Sequence, residues 1–274
     1  MTTPTRRGAL VIGTGRYHHP DLGDLLAPAG DAREVGQVLG DRALGGFAVT
    51  TVIDETHAGL RNAVRGFLSE HGRDDLALIY LSGHGLLDGT GNLHFAGVDT
   101  DATDPASSAV PAEWLWALLS RCDAGRQVVI LDCCHAGAFG GRRSAAAPLP
   151  FRGNRGRVVL TSSHGGQVAL EQRPRSGLAR SVYTAALVDG LRTGAADRDG
   201  DGLVSTWDLH RHVEEALRRA GVDQNPQRSQ YARGGEIYLA RSPLGVQDPA
   251  SRIPARLRPP KRRSFCAIFG AAAR

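Results

Sequence analysis

Residues 127–137 read Gln-Val-Val-Ile-Leu-Asp-Cys-Cys-His-Ala-Gly (QVVILDCCHAG). Val128, Val129, Ile130 and Leu131 form an apolar run too short to span a membrane. It is β-branched enough to predict a strand buried on both faces, the kind found in parallel sheets. The run stops at Asp132, and two thiols, an imidazole and a glycine follow it. Open α/β sheets place their binding crevices at the carboxyl ends of strands, so this stretch predicts chemistry just past a central strand.

Working outward, residues 8–14, 47–53 and 75–82 predict further strands, 92–98 a small hairpin, and 157–162 and 235–241 two later strands. Helical spacing of apolar residues predicts helices that start near Asp31 and Thr56 and others over 111–122, 180–191 and 206–219. In the second of these, Leu60, Val64, Phe67 and Leu68 share one face. Strands and helices alternating at these lengths imply right-handed βαβ units and a largely parallel sheet covered on both sides. Residues 138–157 are poor in structure-forming side chains and hold five arginines, which marks a long loop.

The length allows one α/β domain, here residues 1–241, followed by a flexible basic tail, 242–274, rich in Pro and Arg. The tail carries seven basic side chains against Asp248, so the net charge of +5 becomes −1 over the first 241 residues. A nucleic-acid-binding face on the domain is therefore not expected. No apolar run reaches the roughly 20 residues of a membrane helix, and no signal-peptide pattern opens the chain. The four cysteines, Cys122, Cys133, Cys134 and Cys266, lack disulfide-framework or zinc-ribbon spacing, which suits a reducing, cytoplasmic setting. Gly13-Thr14-Gly15 lacks the third glycine of a dinucleotide fingerprint and predicts a tight turn.

Two strand ends stand out together: Ser82-Gly83-His84-Gly85 and Asp132-Cys133-Cys134-His135-Ala136-Gly137. His84 precedes Cys134 by 50 residues, the order and rough spacing of the caspase signature. A thiolate is a competent nucleophile, and an imidazole can generate it and later protonate a leaving amine. Neighbouring residues on an extended segment face opposite sides, so only one of the two thiols can easily face a cleft. A zinc site built from Cys133, Cys134 and His135 lacks a second ligand pair.

In these motifs, and in the closing EIYLARSP segment, the chain resembles the caspase-like cysteine peptidases, and among them the bacterial metacaspase-like proteins. The resemblance covers about residues 8–241 and implies a caspase-hemoglobinase-like three-layer sandwich, helices flanking a largely parallel central sheet. It implies a catalytic dyad of His84 and Cys134, with the N–H groups of Gly85 and Cys134 holding the oxyanion. Cys133 is then left as a packed thiol. It further implies that Asp31 and Asp132 bind arginine or lysine at P1, the residue before the scissile bond, although glycine at position 30 departs from the family's Asn-Asp-Ala. Helix N-cap and strand-end turn are the structural alternatives for these two acids. Relatives are cut within the region of Arg142, Arg143, Arg152, Arg155 and Arg157, so self-cleavage in residues 138–157 is an expectation. The partners are then protein or peptide substrates with a basic P1, and the chain itself. A catalytically silent signalling or scaffold module of the same fold is the rival from another class.

No cofactor is required by this chemistry. One further motif, Asp197-Arg-Asp199-Gly-Asp201-Gly202, resembles the start of an EF-hand calcium loop, with Asp208 where the motif prefers a bidentate glutamate. Calcium binding through Asp197, Asp199 and Asp201, or a carboxylate-rich turn that caps the next helix, are its two readings.

Overall fold

The computed structural model describes residues 6–133, 156–162, 171–172, 179–231 and 235–246. Strand and helix alternate through the first part of the chain: β1 (Arg7–Gly13), α1 (Pro28–Gly40), β2 (Ala48–Ile53), α2 (His57–Ser69) and β3 (Leu76–Gly83). A small antiparallel sheet follows, made by β4 (Gly85–Leu87), β5 (Leu93–Phe95) and, after the single turn α3 (Pro105–Ser108), β6 (Val110–Pro111). The chain continues through α4 (Ala112–Arg121), β7 (Arg126–Cys133), β8 (Gly156–Thr161), β9 (Glu171–Gln172) and β10 (Arg180–Ser181). It then forms α5 (Val182–Thr193), β11 (Leu203–Ser205), α6 (Thr206–Arg219), β12 (Gln227–Tyr231) and β13 (Tyr238–Arg241).

The main sheet has the order β12-β8-β7-β3-β1-β2, all parallel except β12, which runs antiparallel to β8. Because successive side chains of a strand point to opposite faces, each central strand feeds two cores. Ala9, Val11, Leu78, Tyr80, Val128, Ile130 and Val158 pack under α1, α5 and α6. Leu10, Ile12, Ile79, Leu81, Val129, Leu131 and Cys133 pack under α2 and α4. The result is the expected α/β three-layer arrangement. Each fully buried aliphatic side chain in it contributes about 1.5–3 kcal/mol of transfer free energy. No helix among the described residues is long and apolar enough to cross a membrane.

Four local expectations are corrected. The first helix begins at Pro28 rather than near Asp31, with Ala27 as its N-cap; proline suits the first helical position because its missing N–H would be unpaired there anyway. The central strand does not stop at Asp132, since Asp132 and Cys133 still pair with Ser82 and Gly83. The strand expected over residues 235–241 is shorter, Tyr238–Arg241, and β13 pairs with β11 in a separate antiparallel ribbon, so that β12 forms an edge of the main sheet. Its sequence, Gln-Arg-Ser-Gln-Tyr, shows no apolar alternation, so nothing local marks it as a strand.

The fourth correction concerns Arg157, which is not a loop arginine open to cleavage. It lies in β8 with 0 % exposure. Its Nε donates to Gln127 Oε1 at 2.8 Å and its guanidinium stands 4.7 Å from the centre of the Trp116 ring. Burial pulls its pKa down to about 9. The other four arginines, the rest of residues 138–155 and the tail from 247 onward lie outside the described residues.

Candidate active site

In the parallel pair β3–β7, Ser82 lies opposite Asp132 and Gly83 opposite Cys133. His84 and Cys134 are the residues that follow this last register pair; Cys134 itself lies outside the described residues, as does His135. Cys133 is fully buried on the α2/α4 side, in keeping with a packed thiol. Asp132, one residue earlier, points by strand alternation to the opposite face, toward α1 and α5. Asp, Cys, Cys therefore divides between two faces of the sheet by parity.

The main chain at His84 is held from the loop after β1. Its N–H donates to the Tyr17 hydroxyl at 2.9 Å, and that hydroxyl donates to the Thr14 carbonyl at 2.6 Å. The Tyr17 ring stands 4.7 Å from the His84 ring. Burial pushes the Tyr17 phenol well above its usual range, which keeps it a neutral donor. His84 Nε2 lies 2.9 Å from the Gly23 carbonyl. A carbonyl only accepts, so Nε2 carries the hydrogen and Nδ1 is left as the basic nitrogen of the neutral ring. Gly83, at φ 152°, lets the strand end this close to Thr14: a Cβ there would sit 2.9 Å from the Thr14 carbonyl oxygen. Gly85 opens β4 directly after His84.

Asp31 and Asp132 are brought together beneath the start of α5, each almost completely buried, with 1 % and 3 % exposure. Asp31 is not an N-cap; it is the fourth residue of α1, and its Oδ2 accepts the backbone N–H of Ser181 at 3.0 Å. Asp132 is not in a turn; its Oδ2 accepts the Thr184 hydroxyl at 2.7 Å. Thr184 also contacts the Tyr80 hydroxyl at 2.7 Å. Burial first, and the charge of Asp132 after it, raise the Asp31 carboxyl to about 8, against the pull of the Ser181 N–H. Tyr80 is pushed up strongly by burial and then by both carboxylates, so all three groups share one low-dielectric pocket. Arg180 pairs with Glu34 close by and adds a cation near Asp31.

Tyr17, Tyr80, Ser181 and Thr184 were absent from the sequence-level candidates. Ser181-x-x-Thr184 carries the signature of a helix start, and Ser181 does cap α5 by accepting the Thr184 N–H. No local signal points from there to two acids far away in the chain.

The turn after β1 is explained by packing. A Cβ on Gly13 would sit 2.4 Å from the Pro28 carbonyl oxygen, and one on Gly15 2.5 Å from that of Leu25. The amides of Gly15 and Arg16 donate to Asp54 Oδ1 at 2.8 and 3.1 Å. Amides committed to a carboxylate do not form a phosphate cradle.

Asp197, Asp199 and Asp201 lie between α5 and β11, separated from the acidic pair by the length of α5, about 18 Å for 12 residues. They come together with one another and not with the rest of the site.

The fold, with histidine and acidic residues gathered at the carboxyl ends of β3 and β7, defines a caspase-type domain. The chain belongs to the caspase domain family, whose model matches residues 6–235. It is 32 % identical over 127 residues to the human mucosa-associated lymphoid tissue lymphoma translocation protein 1, a match covering 46 % of this chain and 15 % of that protein. Among solved structures it is similar to protein GSU0716 of Geobacter sulfurreducens, with a TM-score of 0.60 and 20 % identity, over 89 % of this chain and all of that one. It is also similar to caspase-1 of Spodoptera frugiperda, with a TM-score of 0.60 and 13 % identity, over 88 % of this chain and 92 % of that one. These two likenesses show the fold.

Proposed function

We propose that the protein is a cysteine endopeptidase that cuts peptide bonds after arginine or lysine. The observation that carries the reading is the buried acidic pair Asp31 and Asp132, of which Asp132 lies opposite Ser82 in the strand pair that ends just before His84 and Cys134. In this reading the Cys134 thiolate attacks the scissile carbonyl carbon and His84 accepts the thiol proton on Nδ1. The N–H groups of Gly85 and Cys134 donate to the oxyanion. His84 then protonates the leaving amine, and water attacks the thioester, returning the proton to the dyad. Asp31 and Asp132 receive the P1 cation, because carboxylates removed from water bind a guanidinium through charge-assisted hydrogen bonds.

The same specificity makes residues 138–155 of another copy, or of the same chain, a substrate at Arg142, Arg143, Arg152 or Arg155. Arg157 is excluded by its burial. The working setting is the cytoplasm.

One experiment tests both statements. Wild type and Cys134→Ala are incubated with fluorogenic peptides bearing Arg, Lys, Asp or Leu at P1, and the chains are then mapped by intact mass. Cleavage of the Arg and Lys peptides by wild type alone, with new termini after arginine in 138–155, is the expected result. A wild type inactive on every peptide would make the fold a silent module, and intact wild-type chains alongside peptide cleavage would remove self-processing only.

A further inference from the structure

The turn between α5 and β11 is not used by the proposed peptidase chemistry. One carboxylate oxygen from each of Asp197, Asp199 and Asp201 lies within 4.8 Å of the others. Oxygens on opposite sides of a bound Ca²⁺ are about 4.6–5.2 Å apart, since each stands 2.3–2.6 Å from the ion. The three carboxylates are therefore spaced as one ligand shell around a single hard cation.

An acidic cluster alone would be an ordinary surface turn. What distinguishes this one is Asp197, only 8 % exposed. Its Oδ2 accepts the Gly202 N–H at 3.2 Å, whereas its Oδ1 is buried without a hydrogen-bond partner. A buried carboxylate oxygen with no donor is costly, and a cation within the cluster is the ligand that removes the cost. The basic residue inside the loop does not do so, because Arg198 pairs with Glu215 at 3.0 Å.

The negative field reaches the surrounding side chains. After burial, Asp199 and Asp201 are what hold the Asp208 carboxyl above its ordinary value. Burial first, and then the charges of Asp201 and Asp199, raise the Tyr238 phenol as well. The backbone suits the loop type too, with Gly200 and Gly202 at φ 63° and 86° in a sharp turn where glycine is required. Asp208 is a correction to the sequence pattern: its Oδ2 accepts from Ser205 N–H and Oγ in a capping box at the start of α6. It is thus committed to the helix rather than supplying a bidentate ligand.

We infer that Asp197, Asp199 and Asp201 form a calcium site that clamps the turn joining α5 to the β11–β13 ribbon. It lies apart from the acidic pair. Lacking a bidentate twelfth ligand, the site belongs to the weak end of such loops, with Kd of roughly 10⁻⁴–10⁻³ M.

The test is calorimetric titration of CaCl₂ into chelator-treated full-length protein, together with thermal melting in CaCl₂ or MgCl₂. Wild type and Asp199→Asn/Asp201→Asn are compared, both changes being at exposed positions. One Ca²⁺ per chain, a higher Tm in calcium than in magnesium, and at least a tenfold weaker Kd in the variant are expected. Absence of heat and of any Tm shift up to about 10 mM Ca²⁺, equal binding of Mg²⁺, or unchanged binding by the variant would overturn the site. If the variant does not fold, terbium luminescence sensitised by the neighbouring Tyr238 of wild type decides: calcium must displace the terbium signal. None of these measurements needs peptidase activity, so their failure would leave the peptidase reading untouched.

Discussion

Thr184 Oγ1 donates to Asp132 Oδ2 at 2.7 Å and stands 2.7 Å from the Tyr80 hydroxyl. A threonine hydroxyl has one proton to give. The Tyr80 contact must therefore run toward Thr184, which makes a directed chain from Tyr80 through Thr184 to Asp132. All three lie in the α1/α5 side of the sheet, where an unpaired polar group is expensive. Under the proposed specificity, Thr184 is thus a positioning residue for the acid that would meet the P1 cation.

Replacing Thr184 by valine keeps the shape and removes the hydroxyl. The Tyr80 O–H and Asp132 Oδ2 each lose the Thr184 hydrogen bond, and stability should fall by about 1–3 kcal/mol. For arginine peptides KM should rise about tenfold, an interaction loss of about 1.4 kcal/mol, while kcat changes less. Thr184→Ser should restore most of both. Steady-state kinetics that show a kcat loss with unchanged KM would refute a role in P1 binding.

Asp31 combines a cost in stability, from its buried carboxyl, with the P1 role proposed for it. Its folded-state carboxyl titrates at about 8 against an ordinary 3.8, so the folded chain holds a proton that the unfolded chain releases. Stability from this group is present below pH 4 and is lost as pH rises toward 8. Asp31→Asn should match wild type near pH 4 and melt higher at pH 8–9, by roughly 2–4 °C for each kcal/mol recovered. The same variant should lose cleavage after arginine. In wild type, KM for arginine peptides should fall between pH 6 and about 8, because a bound cation favours the ionised carboxyl. Melting curves across pH, with KM measured in parallel, check the sign; an Asn variant less stable than wild type at pH 9 would refute it.

Tyr17→Phe isolates the hydrogen bonds that hold His84 from the ring contact, which the variant keeps. The His84 N–H and the Thr14 carbonyl lose their shared partner. A displaced imidazole misaligns proton transfer, so kcat/KM should fall by up to about 10²-fold, with a stability loss of about 1–3 kcal/mol. An unchanged kcat/KM in a folded variant would show that the backbone of His84 is positioned without Tyr17.

Much of this was legible in order along the chain. A continuous apolar run such as Val128–Leu131 specifies a strand buried on both faces, because successive side chains of a strand point to opposite faces. The same period sends Asp132 and Cys133 to opposite faces without any knowledge of what waits there. That His84 and Cys134 each follow a strand was also readable, and a parallel pair ends both strands at the same edge. Helix boundaries were less so, as Pro28 shows: a helix can begin before its first apolar residue.

Other features had no local signature. Asp31 lies near Asp132, and Ser181 meets the first and Thr184 the second, only because α1 and α5 cover the same face of the sheet. Arg157 reads as one of several loop arginines, yet the strand it enters carries it under Trp116. β12 is polar throughout, and backbone pairing with β8 makes it a strand. The sequence by itself determined the strand and helix periods, the order of the reactive residues and the parity of Asp132 and Cys133, all of which depend on neighbours a few positions apart. Only the tertiary structure decided which distant groups share the buried pocket, because burial and hydrogen-bond partners are properties of the packed layers and not of any one segment.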